Sequence, residues 1–276
     1  MSVEVTSWAD FVTAVGTSGA DVVIPAETVW DMNEILPHYN QNLVINCDSI
    51  NGNGAEIKNL HITGFFEVNS AVSISNITFS NILADGSGAD TVTYENGFFN
   101  SRANGITSLH GVTASGIFGS GYSAIFAVQG AQGKYWDVTQ SAFNFDMQNG
   151  SRVCSDYVQG VSLYACRVFV DFPSASTVRI GGLHSPTFTE FVINAPLAEQ
   201  IDAYGISSCT IRGNLQNVQE IKCEVPEGEV SVYSTESAPD AVINGGTWGT
   251  QLVGVTDAQF KSAEYLRSIG FIIGVS

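Results

Sequence analysis

Val72-Ser73-Ile74-Ser75-Asn76-Ile77-Thr78-Phe79 sets apolar side chains between Ser, Asn and Thr, the alternation of a strand with one buried face. Runs of the same kind lie on both sides of it. Leu43-Val44-Ile45 and Ile57-Lys58-Asn59-Leu60-His61-Ile62 come before. Ile106 to Val112, Trp136 to Phe145, Val161 to Phe172, Phe188 to Ile193, Ile206 to Ile211 and Val218 to Val225 follow. Gly and Asn gather between the runs and supply turn conformations. Comparable positions fall at Leu60, Ile77, Val112, Phe143, Cys166, Val192 and Cys209, irregular steps that fit one solenoid coil plus loop insertions. A β-sandwich would turn every ~8–12 residues and carry Asn-Gly hairpins. Asn51-Gly52 and Asn53-Gly54 keep that alternative open.

The two ends read differently. Over residues 7–16, Trp8, Phe11, Val12 and Val15 make one apolar helical face behind a Ser7 N-cap with Asp10 three residues on, and Gly16 can stop the helix. Asp21-Val22-Val23-Ile24-Pro25 then reads as a strand ended by proline. At the other end Thr256-Asp257-Ala258-Gln259 is a capping box, and Phe260, Ala263, Leu266 and Ile269 form an apolar stripe closed by Gly270. The expected organisation is an N-terminal cap over 1–42, a parallel β-helix over 43–247 and a helical appendix over 248–276. The fold class expected is all-β: a right-handed parallel β-helix solenoid with a short N-terminal capping helix and a C-terminal helix.

Composition narrows the function. Only 13% of the 276 residues are charged, about half the usual share of roughly 25%. The formal net charge is −17, from 27 acidic against 10 basic residues. Such a surface repels phosphate backbones, so a nucleic-acid partner is not expected. Five cysteines without C-x-x-C or Cys/His spacing predict buried thiols rather than a disulfide framework or a zinc site. Met1-Ser2-Val3-Glu4-Val5-Thr6 has neither a basic n-region nor an apolar h-region, and no apolar run reaches membrane length. The expectation is a chain made in a bacterial cytoplasm without signal peptide, with no membrane partner.

Helix 7–16, the strand ending in Ile24-Pro25, Ile50-Asn51-Gly52-Asn53-Gly54 and Ile57-Lys58-Asn59-Leu60 resemble the entry of pectate-lyase-like β-helix proteins. There an amphipathic helix plugs the first coil and an I-x-G-x-G turn precedes the regular ones. The resemblance spans residues 7–247 and implies architecture rather than activity. The ending Tyr265 to Phe271 is similar to endings of surface and phage-associated proteins of Gram-positive bacteria, which points toward a virion.

Candidate chemistry is sparse. Lyases on this fold combine acidic Ca²⁺ ligands with a basic Arg or Lys. Asp137 and Asp146 flank a strand-like run with Arg152 after it, and these three are the catalytic candidates; Arg167 and Asp171 lie on a later run. The Asp pair and Gly-His-Gly of polygalacturonases do not occur, Gly181-Gly182-Leu183-His184 being the nearest echo. Asp85-Gly86-Ser87-Gly88-Ala89-Asp90 lacks the acidic density of a calcium loop. No metal and no cofactor are expected. Aromatic residues in predicted loops are the contact candidates: Phe65, Phe66, Tyr94, Phe98, Phe99, Tyr122, Tyr135 and Trp136. The function expected is that of a virion-type structural or adhesion subunit (fibre, spike or decoration) acting by protein or glycan contact. Its expected partners are its own copies, with a trimer implied by analogy to phage β-helices, other virion proteins, and a cell-surface glycan. The alternative is a polysaccharide lyase or glycoside hydrolase.

Overall fold

A computed structural model describes residues 1–35, 43–62, 66–84, 97–101, 106–118, 124–128, 135–147, 152–154, 161–164, 166–180, 189–202, 209–214, 217–222, 231–234, 242–244 and 247–248. The fold is mostly β with few helices, and its strands form a 16-stranded and a 9-stranded sheet. Every strand pair among the described residues is parallel, which removes the hairpin-built sandwich. From Leu43–Ile45 onward the chain alternates between the sheets: Ser49–Lys58 in the larger, Phe66–Val68 in the smaller, Ser73–Ala84 in the larger, Gly97–Ser101 in the smaller.

Alternation along each strand becomes apolar columns across the sheet. Val3, Val22, Ile50, Ile74, Leu109, Val138 and Leu163 lie in register on successive strands. Trp30, Ile57, Phe79, Ala114, Phe143, Val168, Phe191, Ile211, Val232 and Trp248 make a second column. The described core side chains of both are buried, with Val3 half-buried at the start. Between the two columns the backbone breaks its alternation at a left-handed residue, or at two in Ser49–Lys58, where Gly54 follows Asn53. Asn53, Asn76, Gly111 and Gln140 hold positive φ at this place. That is why Ser75-Asn76 puts two polar residues together without turning Ile77 and Phe79 outward. Of the aligned positions expected from sequence, Ile77, Val112 and Cys166 do each precede a residue of one column (Thr78, Thr113, Arg167), whereas Phe143 falls two positions on.

Asn51-Gly52-Asn53-Gly54 is no hairpin. It lies inside the strand Ser49–Lys58, where Gly52, Asn53 and Gly54 bulge opposite Asn76 alone. A side chain at position 52 would stand 2.5 Å from the Asn76 carbonyl oxygen, so only glycine lets the two backbones approach.

The N-terminal helix runs Trp8–Val15, with the Ser7 hydroxyl accepting from the Asp10 amide at 3.2 Å. Trp8, Phe11, Ala14 and Val15 are its buried face, Ala14 replacing the expected Val12 because Val12 sits at the edge of the stripe. Trp8, Phe11 and Trp30 pack as one aromatic group, ring centroids 5.3–5.7 Å apart. The Val15 carbonyl accepts from the amides of Asn46 and Cys47 at 2.8 and 3.0 Å, tying the helix end to the smaller sheet's first strand. Strands Ser2–Glu4, Asp21–Val23 and Val29–Asp31, inside the expected cap, belong to the larger sheet. The expected C-terminal helix lies outside the described residues. Cys47 and Cys166 are buried thiols, and burial pushes Cys47 up to about 12. Among the described residues no helix is long and apolar enough to cross a membrane.

Candidate contact surface

The outward face of the larger sheet carries polar columns as regular as the apolar ones inside. Ser2, Asp21, Ser49, Ser73, Ser108, Asp137 and Ser162 stand in register on seven strands. Adjacent strands lie ~4.8 Å apart, so from Ser2 to Asp137 the column repeats a hydroxyl or carboxylate at that spacing. The Ser49 hydroxyl donates to Asp21 at 2.8 Å. Two residues along each strand, Ser75, His110 and Thr139 continue the polar face, with His110 Nδ1 2.9 Å from the Thr139 hydroxyl. Side-chain hydrogen bonds across the sheet join residues 22 to 29 apart in sequence.

A second strip crosses the same sheet, sharing only the strand Ser73–Ala84 with the first column. His61, Leu83, Ile117, Asp146, Asp171, Asn194 and Asn214 are in register there. Leu83 and Ile117 are exposed and floor an open groove of about 340 Å³ rimmed by Asn59, His61 and Asn81. Asn59 and Asn81 both adopt positive φ and stack: the Asn81 amide donates to Asn59, whose own amide donates to Asp31 at 2.7 Å. Asp31 also faces Lys58 Nζ at 3.3 Å.

The Asn59 hydrogen bond, with Lys58 behind it, holds Asp31 below its ordinary 3.8 against the opposing effect of partial burial. A carboxylate whose folded pKa is depressed stabilises the fold above its unfolded value, and that contribution is lost as pH falls through the lowered folded value. The Asp31 carboxyl is expected to titrate by NMR with a midpoint below 3.8, and Asn59→Ala to move that midpoint up. A midpoint indifferent to Asn59 would contradict the stacked-amide account.

The sequence candidates are distributed unevenly over this surface. Asp137 is half-buried in the first polar column, and Asp146 is exposed in the second strip. Arg152 is on the smaller sheet, in register with Arg179 and Ala124, so it does not share a strip with either aspartate. Phe98, Phe99 and Trp136 require correction: they lie in strands, fully buried, and cannot meet a partner. Phe99 is packed among Phe98, Phe126, Trp136 and Phe143, centroids 4.6–6.3 Å away. The reason is register, which points Phe99 inward beside Phe126 of the next strand. Phe66 and Tyr135 are strand residues aligned with Phe99 and Ile106, while Phe65, Tyr94 and Tyr122 lie outside the described residues.

Sequence reading missed the serine column, although a signal was there. Ser2-Val3, Asp21-Val22, Ser49-Ile50, Ser73-Ile74, Ser108-Leu109, Asp137-Val138 and Ser162-Leu163 are all Ser or Asp followed by an aliphatic residue. Asp171 aligns with Asp146, a pairing that spacing along the sequence does not show. No protein-family model, no curated protein and no solved structure matches this chain.

Proposed function

We propose that this chain is a right-handed parallel β-helix of the pectate-lyase-like kind that works as a virion-type structural or adhesion subunit. Support for the solenoid is the passage of the chain between two parallel sheets, with apolar columns inside and polar columns outside. Support for a contact role comes above all from the seven-strand Ser/Asp column, a polar strip that repeats every ~4.8 Å. A repeating strip suits an extended, repeating partner such as a glycan chain or the same face of a second copy. Homo-oligomerisation, other virion proteins and a location in the particle belong to the same proposal, with a trimer as its first form.

One observation favours the enzymatic reading as runner-up. Asp146 and Asp171 are in register on neighbouring strands, ~4.8 Å apart at the backbone, near the ~5–5.5 Å that retaining glycoside hydrolysis requires of its carboxyl groups. Incubation with a panel of bacterial and plant polysaccharides, with and without Ca²⁺, separates the two. Following reducing ends, unsaturated products and binding, the contact reading expects retention of a glycan or self-association without product. Turnover that Asp146→Ala abolishes would overturn it in favour of the hydrolase.

A further inference from the structure

We infer that Asn53 is a site of spontaneous modification, converting to aspartate and isoaspartate through a cyclic imide while its near-identical neighbour Asn51 is protected by the sheet. In this reaction the Gly54 backbone nitrogen attacks the Asn53 side-chain carbonyl carbon. A C–N bond forms, the bond from that carbon to the amide nitrogen breaks, and ammonia leaves. Water then opens the five-membered imide at either carbonyl, giving the two acidic products. Glycine as the following residue favours the attack, because it shields its own nitrogen least.

The chain holds two Asn-Gly pairs side by side, and the fold treats them oppositely. Asn53 and Gly54 are both exposed on the bulge, with φ of 54° and 86°, and a side chain built on Gly54 would meet nothing within 4 Å. There is open space for the backbone to swing into the imide geometry. Gly52 is buried, and its α carbon is pressed so closely to the next strand that an added carbon would lie 2.5 Å from Ile77 Cβ. Asn51 is held as well: its side-chain oxygen accepts from the Asn53 amide at 3.1 Å and the Asn76 amide group at 3.5 Å, and its carbonyl accepts from Ile24 at 2.9 Å. Asn59, Asn76 and Asn81 share the left-handed conformation of Asn53, but Leu60, Ile77 and Ile82 follow them and shield the attacking nitrogen. Conversion at Asn53 adds one negative charge to a chain already at −17 and, as isoaspartate, one extra backbone carbon to the bulge.

The test is to age the folded protein at mildly alkaline pH, cleave after Glu34 and Glu56, and locate deamidation by fragment-ion mass spectrometry. Protein held unfolded in urea serves as the reference. In the folded protein Asn53 is expected to convert at least about tenfold faster than Asn51, because Asn51 must wait for local opening of the sheet. In urea the two rates should come together. Asn53→Gln should remove the folded-state product, and Asn51→Gln should leave it unchanged. Equal rates at both sites in the folded protein, or an Asn53 that survives folded ageing while converting in urea, would overturn the inference.

Discussion

Gly116→Ala is expected to cost at least about 3 kcal/mol of stability, as overpacking against unyielding backbone does at the severe end of point substitutions. The added carbon would stand 2.1 Å from the Ile82 carbonyl oxygen and 2.5 Å from its amide nitrogen, both main-chain atoms of the neighbouring strand. No rotamer change relieves such a clash. The site exists because Asn81 is an extra residue in Ser73–Ala84, bulging opposite Ser115 and drawing Ile82 over Gly116. Denaturant titration should show a lower midpoint with the slope retained. A variant within ~0.5 kcal/mol of the parent, the usual range for an unimportant surface change, would mean the strands do not approach there.

Phe99→Ala should lose about 3–5 kcal/mol, the cost of removing a fully buried aromatic ring and leaving its cavity. Phe99 touches rings contributed by strands Gly97–Ser101, Ala124–Val128, Tyr135–Thr139 and Ala142–Met147, so the cavity opens where both sheets meet. Val44→Ala, at a side chain 41% exposed, is the matched surface control and should change stability by no more than ~0.5 kcal/mol. Equal effects at the two positions would return Phe99 to the surface role that the sequence had assigned it.

That assignment failed for a definable reason. Phe98 and Phe99 follow Asn96-Gly97 and precede a further Asn-Gly, so composition marked the segment as turn. Whether such a segment forms a five-residue strand depends on pairing with Phe66–Val68 and Ala124–Val128, segments far away in sequence. Where alternation was long, as in Val72 to Phe79 or Trp136 to Phe145, the strand and its buried face were legible. The helix was legible too, because Ser7, Asp10, Trp8, Phe11 and Val15 interact within a few residues of one another.

The surface was far less legible. Ser73 gains its meaning only when Ser49 and Ser108 fall beside it, and the insertions between strands vary enough to hide that alignment. Asp137, Asp146 and Arg152 are close in sequence, but parallel pairing distributes them over two strips and two sheets. Asp146 finds Asp171 instead, one strand away. In a fold of parallel strands, sequence neighbours diverge and register neighbours converge.

Register is therefore the property to measure. Cysteine pairs introduced on the exposed face can report it, since a disulfide needs Cα atoms ~4.4–6.8 Å apart and does not bridge beyond ~7 Å. Under mild oxidation Ser73→Cys with Ser108→Cys, in register, is expected to cross-link within one chain. Ser73→Cys with His110→Cys, offset by two residues along the strand, is expected to remain reduced. Peptide mapping that finds the offset pair joined as readily, or the in-register pair never joined, would contradict the aligned parallel surface on which the proposed contact function rests.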